Sequence, residues 1–380
     1  MKAWPVLAIA SIQALLFLAH WLIYSTVVVF GGDLSPASVP LFRIVLLLLA
    51  FSFIPAALLN YRFANPLVGL LYKVAAIWLG FLSFFFFAAC ASWLTWLALL
   101  LCVHQPTFAN GRPLIAGICF GLAFLAGIYG LVNAYWLRVR HVLVRLANLP
   151  VSWQGRTALL ISDLHLGHIN GEHFSRRIVE HALRLRPDAI LLPGDVYDGG
   201  KVDAERVIAP FKRLDPPLGM YFATGNHDEF GETSRFLAAL RGVGVRVLRN
   251  EKAVVDGLQI LGVPYHETTH PMQLRTTLQG LKINRTRASI LLSHVPNRLP
   301  IVEEAGVSLQ LSGHTHGGQF VPFTWLTRRV FGKFTYGLHA FGGLQVYTSY
   351  GAGTWGPPMR VGTSPELVLL TFESAVRAKM

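Results

Sequence analysis

Cysteine is nearly absent: three occur in 380 residues, Cys90, Cys102 and Cys119, and all lie within apolar runs. The polar part of the chain therefore has neither a disulfide framework nor a cysteine-type zinc site. A cytoplasmic setting is compatible with this, and the compartment stays open. Acid is also scarce, with 20 Asp and Glu in the chain and only Asp33 before residue 138. Charged residues make up 14% against 53% hydrophobic, and mean hydropathy is +0.47. That balance excludes an ordinary soluble chain with a solvated charged surface. Long basic runs are missing too, which argues against a nucleic-acid channel and makes nucleic acid an unexpected partner.

What is present divides into two halves. Residues 1–137 hold five Lys and Arg, whereas 138–380 hold 28 against 19 Asp and Glu. The net +9 of the second half suits an anionic partner such as a phosphate ester or acidic lipid headgroup, or has no special meaning.

A spanning helix takes about 20 mainly apolar residues. Val6 to Phe30, Val39 to Leu59, Val74 to Val103 and Pro113 to Leu137 meet that length, so four spans in a lipid bilayer are expected. The third run is long enough to tilt, or to hide two passes. The first is too long for the core of a signal peptide. Gln13 and His20 within it are read as polar residues satisfied inside the bundle, and the Gly117 and Gly121 spacing as close helix packing. With four spans, Lys2, Arg62, Lys73, Arg138, Arg140 and Arg145 fall on one side, and only Arg43 and Arg112 on the other. The positive-inside rule then places the polar domain in the cytoplasm, and five spans would reverse it.

From Thr157 the pattern changes to short, continuous apolar stretches that end in polar residues, as buried strands do. Phe174, Ile178 and Ala182, with Val179 and Leu183, mark an amphipathic helix between them. An α/β layered domain follows, with its chemistry at strand ends. Five islands stand there: Asp163-Leu-His165, Gly194-Asp195, Gly225-Asn226-His227-Asp228, Ser293-His294, and Gly313-His314-Thr315-His316-Gly317-Gly318-Gln319. Each alone is weak, but together, in order and each after an apolar strand, they point to a metal site. Carboxylates, imidazoles and an amide oxygen form a mixed O/N set suited to Mn²⁺, Zn²⁺ or Fe, where an all-oxygen cage would suit Mg²⁺ or Ca²⁺.

The five islands resemble the signature blocks of the calcineurin-like metallophosphoesterases over about residues 155–375. The His-Thr-His-Gly-Gly-Gln block, preceded by a helical membrane domain, is similar to a bacterial membrane-linked branch related to UDP-diacylglucosamine hydrolases. The resemblance implies a transmembrane helical domain over 1–145 and a four-layer (α-β-β-α) sandwich over 150–380. It implies two divalent ions, Mn²⁺ first with Zn²⁺ or Fe as alternatives. Asp163, His165 and His316 would bind one ion, Asp195 would bridge, and Asn226, His294 and His314 would complete the second site. His227 would protonate or stabilise the leaving oxygen rather than bind metal, and Asp228 would orient that imidazole. The implied reaction is in-line attack on a phosphodiester or pyrophosphate, with a lipid-linked nucleotide such as UDP-diacylglucosamine the leading substrate, at a bacterial inner membrane. An anchored enzyme of soluble substrates and a non-enzymatic membrane binding protein are the alternatives.

Other features are open. Gly351-Ala-Gly353-Thr-Trp-Gly356 matches a dinucleotide fingerprint, but Pro357 and Pro358 stand where a helix should open. Under the resemblance this loop borders the cleft, and Arg360 meets a phosphate or is a plain surface arginine. His168 and Asp198 lie beside ligand motifs. The segment from Phe320 to Tyr336 mixes Phe323, Trp325, Phe331 and Phe334 with Arg328, Arg329 and Lys333, which suits a membrane interface, an amphiphilic substrate, or core packing of the aromatics.

Overall fold

The structure is a computed structural model that describes residues 3–32, 35, 38–102 and 111–375. The chain divides into a helical unit, Met1–Val132 with Gly356–Val361, and an α/β unit, Asn133–Trp355 with Gly362–Met380.

In the helical unit, α1 (Ala3–Phe30), α2 (Ser38–Ala50), α3 (Phe53–Arg62), α4 (Pro66–Cys102) and α5 (Arg112–Tyr135), whose last residues enter the α/β unit, follow the expected runs. Among the described residues, four stretches are long and apolar enough to cross a membrane: Val6–Phe30, Ser38–Arg62, Pro66–Cys102 and Arg112–Tyr135. Large apolar side chains such as Leu15, Trp21, Leu48, Leu94 and Leu125 stand exposed along them, as lipid-facing residues do. The third run is one 37-residue helix rather than two passes. It starts on Asn65, whose Oδ1 accepts the Val68 N–H at 2.9 Å, with Pro66 preset for the first turn. The expected end of this run, Val103, and the flanking Lys2 lie outside the described residues.

The second run is broken between α2 and α3, before Pro55, which has no N–H to donate and crowds the turn behind it. Gln13 Nε2 donates to the Ala50 carbonyl at the end of α2, at 3.0 Å. Trp78 Nε1 donates to His20 Nε2 at 2.9 Å, so the other ring nitrogen, 2.7 Å from the Leu16 carbonyl, carries the proton. Both polar residues are thus satisfied inside the bundle. Gly117 and Gly121 are not packing positions among the described residues, since a Cβ on either would meet nothing within 4 Å. The close approach is at Gly127, where a Cβ would stand 2.2 Å from the Phe81 ring.

The α/β unit has the expected four layers. One sheet runs β1 (Arg138–Leu146), β12 (Glu366–Ser374), β2 (Thr157–Leu160), β3 (Ala189–Pro193), β4 (Met220–Ala223), β5 (Val245–Val247). The other runs β10 (Gly337–Phe341), β11 (Leu344–Thr348), β9 (Leu309–Ser312), β8 (Ser289–Leu292), β7 (Leu258–Gly262), β6 (Glu251–Val255). Alternate residues face opposite ways. Ala158, Leu160 and Leu191 of the first sheet meet Ile260, Ile290 and Leu311 of the second in the central core. On the outer face, Leu159, Ile190 and Leu192 pack under α6 (Glu172–Leu185) and α8 (Thr233–Arg241), while Leu261 and Leu291 pack under α10 (Pro271–Gly280) and α11 (Leu299–Glu304). Burial on both faces explains why these strands read as continuous apolar runs. Each such Leu or Ile contributes roughly 1.5–3 kcal/mol.

Arg138, Arg140 and Arg145, expected as the flank of the fourth span, lie on β1, which pairs in parallel with β12 from Arg138 opposite Glu366 to Leu146 opposite Ser374. The sheet thus begins before residue 145, because Val368, Leu370 and Phe372 of β12 share the central core with Val144 and Leu146 of β1.

Candidate metal centre

β2, β3 and β4 are parallel neighbours in one sheet, and β8 and β9 in the other. Their carboxyl ends deliver Asp163, Asp195, Asn226 to Asp228, His294, and His314 to His316 to one place, the position at which open α/β sheets gather their ligands. The chain must turn sharply there. Asp163, His165, Asp195, His314, His316 and Gln319 all have φ between +47° and +67°, a region L residues rarely occupy and one that marks sites held by their surroundings. Motif reading gives the residues but not this backbone.

The glycines leave room for it. A Cβ on Gly225 would stand 2.1 Å from Asp195 Oδ1, and one on Gly313 2.0 Å from Asp163 Oδ2. The Gly351 loop borders the site as expected, since a Cβ there would lie 2.5 Å from that of Asp163. Arg360 differs: it belongs to the helical unit, its side chain is fully buried, and its N–H donates to the Gly130 carbonyl at 2.9 Å.

Among the described residues, three sets of donors converge: Asp163, His165 and His316; His165, Asp195 and His227; and Asp195, His294 and His314. Asp195 Oδ2 lies 3.0 Å from His294 Nε2 and 3.7 Å from His165 Nε2, so one carboxylate faces both histidine groups. His316 Nε2 is 3.0 Å from His165 Nε2 and 3.4 Å from Asp163 Oδ1. Asn226 Oδ1 lies 3.0 Å from His314 Nδ1, which brings the amide to the second group. Asp163 Oδ2 is buried with no hydrogen-bond partner among the described residues. An unsatisfied buried carboxylate oxygen beside clustered imidazoles costs free energy that a cation would recover, so this donor set fits divalent metal.

Electrostatics follow from the crowding. Burial would raise Asp195, but His294, His165 and His227 outweigh it and hold its carboxyl well below the usual range. Burial raises Asp163, and the Asp195 charge adds to that. Burial would lower His294, yet Asp195 and Asp163 push it up to about 10. His314 is lowered to about 3 by burial and by His294. His227 is lowered by burial and by His165.

The reading that Asp228 orients the His227 imidazole is corrected. The Asp228 carboxylate accepts three backbone N–H groups, from Asp195 at 2.7 Å, Gly225 at 2.8 Å and Tyr197 at 3.0 Å. Its acceptors are committed to the loops after β3 and β4. The His227 ring instead meets Asp198, with Nδ1 3.0 Å from the Asp198 carbonyl oxygen. Asp198 Oδ1 is also 3.3 Å from His165 Nδ1, so this one residue holds two of the site's imidazoles. Its place three residues after Asp195 was the only signal, while His168 stays half-buried beside the site.

The mixed segment splits. On α12 (Phe323–Phe331), Phe323, Trp325, Leu326 and Val330 are exposed, and Phe331 approaches His314 with ring centroids 6.2 Å apart. Phe334 instead packs against the core of the second sheet.

The comparisons with known proteins point the same way. A profile described as calcineurin-like phosphoesterase matches residues 156–318. A transmembrane protein with metallophosphoesterase domain from Danio rerio is 32% identical over 266 residues, 65% of this chain and 60% of that one. An uncharacterized metallophosphoesterase from Aquifex aeolicus is 30% identical over 261 residues, 66% of this chain and 98% of that one. The chain spans 60% and 58% of the length of the first two curated relatives it matches.

Proposed function

The chain belongs to the calcineurin-like phosphoesterase family, and from that premise we propose that it is a membrane-embedded, metal-dependent hydrolase of phosphodiester or pyrophosphate bonds. The observation that carries this is Asp195, a buried carboxylate 3.0 Å from His294 and 3.7 Å from His165, which gives two histidine groups a common ligand. Asp163, His165 and His316 would hold one ion, Asn226, His294 and His314 the other, with Asp195 shared. Two bound divalent ions would neutralise charge on the phosphate and favour in-line displacement, with Mn²⁺ first and Zn²⁺ or Fe as alternatives.

The chain's own groups do the rest. The Asp198 carbonyl accepts the Nδ1 proton of His227 and so fixes the tautomer and the ring, leaving Nε2 for the substrate. Burial and His165 lower the His227 pKa, so a proton that Nε2 takes up beside an anionic phosphate passes readily to a leaving oxygen. We assign His227 to the leaving group rather than to a metal; what supports this is that Asp163, His165 and His316, and Asp195, His294 and His314, each offer three donors without it.

The substrate we favour is lipid-linked, with UDP-diacylglucosamine the leading candidate. Two features support it: the exposed apolar residues of α12, a helix that also carries Arg328 and Arg329 and whose Phe331 approaches His314, and the membrane helices, which confine the enzyme to the surface where such a substrate resides. The basic flanks at Arg62 and Lys73 favour a cytoplasmic catalytic unit at a bacterial inner membrane. Reporter fusions at the carboxyl terminus test the sidedness.

The substrate test compares kcat/KM on a lipid pyrophosphate and on a water-soluble diester, in wild type and in Trp325→Ala with Leu326→Ala. Selective loss on the lipid is expected. Equal efficiency on both substrates favours the anchored enzyme of soluble substrates, and no hydrolysis of any phosphate ester favours a membrane binding protein.

A further inference from the structure

We propose that Phe230 and Trp355 form a binding platform for a planar aromatic group on the leaving side of the substrate, an inference that rests on the role given to His227 above. Their rings stand edge-on to the same imidazole, with centroids 5.4 Å and 5.9 Å from that of His227 and interplanar angles of 64° and 63°. Both are open to solvent, Phe230 at 45% and Trp355 at 55% exposure, although large aromatics are usually well covered.

Neither ring is placed by its own burial; the main chain holds both. Trp355 N–H donates to Gln319 Oε1 at 2.8 Å, and its carbonyl accepts Gln319 Nε2 at 2.9 Å. Gln319 is buried, and its own carbonyl accepts the Thr363 hydroxyl at 3.1 Å, so the indole is mounted on the same loop that carries His314 and His316. Phe230 N–H donates to the His227 carbonyl at 3.3 Å, and its Cβ lies against Gly199, where an added Cβ would come within 3.3 Å of it. Aromatic side chains have few rotatable bonds, so two on an anchored main chain lose little freedom when a flat group stacks on them. Stacking is tolerant of ring identity, so the shared chemistry is a planar aromatic moiety, either a nucleobase or a phenolic ester.

Direct binding to the full-length, Mn²⁺-loaded protein in detergent tests this by calorimetry. The probes are uridine 5′-monophosphate against ribose 5-phosphate, and phenyl phosphate against methyl phosphate. In wild type the ring-bearing member of at least one pair should bind about tenfold tighter. Preference within the nucleotide pair identifies a nucleobase, and preference within the phenyl pair alone a phenolic ester. Trp355→Ala with Phe230→Ala should bring the ratio near one, and Trp355→Phe alone should retain most of it. No preference in wild type overturns the proposal without any variant, and so does an unchanged ratio in a folded double variant. An active enzyme with no preference removes only the platform, whereas a preference without hydrolysis of any phosphate ester removes the phosphoesterase reading.

Discussion

Asp228 secures the main chain of Asp195: its Oδ2 accepts the Asp195 N–H at 2.7 Å and, at 2.8 Å, the Gly225 N–H of the next strand-end loop. One buried carboxylate thereby ties the ends of β3 and β4 together. Asparagine has the same shape but only one acceptor oxygen for the three N–H groups gathered there. Asp228→Asn should lower stability by about 1–3 kcal/mol, the cost of an unsatisfied buried polar group, and weaken metal retention. Thermal unfolding and elemental analysis measure the two effects. An unchanged melting temperature with full metal would mean that the loops do not depend on this carboxylate.

Asp195 and His227 should separate cleanly. On the proposed roles, Asp195→Ala removes a carboxylate that faces both histidine groups, so activity and most bound metal should be lost together. His227→Ala should lose activity by about 10²–10⁴-fold, as expected for a proton donor, and keep its metal. If elemental analysis found the His227 variant depleted, His227 would be a ligand with His165 and Asp195, a set that is also within reach.

Glycine at 225 and 313 is required by the carboxylates it faces. Gly225→Ala would set a methyl 2.1 Å from Asp195 Oδ1, and Gly313→Ala one 2.0 Å from Asp163 Oδ2, so each should displace a ligand and empty the site. Gly280→Ala is the control: it ends α10 with nothing within 4 Å of the added carbon. That variant should be neutral or gain up to about 1 kcal/mol. Metal content that fell equally in all three would point to a general folding defect.

Much of this was legible in the sequence, for identifiable reasons. Apolar runs long enough to span, and strands buried on both faces, leave strong local patterns, and Asp163, His165, Asp195 and His294 each stand a few residues beyond the end of such a strand. What failed depended on backbone geometry and packing partners rather than on residue type. The break before α3 shows only through Pro55, the partners of Asp228 are backbone N–H groups that no motif spells out, and Gly117 and Gly121 have helix-packing spacing with no helix beside them in the described chain. β1 read as a basic flank because Arg138, Arg140 and Arg145 alternate with apolar residues whose partner, β12, lies more than 200 residues away.

Metal loading should release protons, and the source is identifiable. In the metal-free protein His294 is held up to about 10, mainly by Asp195 against the opposing effect of burial, so it is protonated at pH 8. Its Nε2 faces Asp195 Oδ2 at 3.0 Å, and a metal taking that position must displace the proton. His314, lowered to about 3, is already neutral and has none to give. Metal affinity should therefore rise with pH toward about 10. The sign for stability is the reverse in the metal-free state. A histidine raised above its ordinary 6.5 contributes stability that is complete below about 6.5 and is lost as pH rises through about 10. Calorimetric titration of Mn²⁺ at pH 8, in two buffers of different ionisation enthalpy, counts the protons. His294→Asn should release fewer per metal bound than wild type. Zero release from wild type would mean that His294 is neutral before the metal arrives, and the ion pair with Asp195 would have to be abandoned.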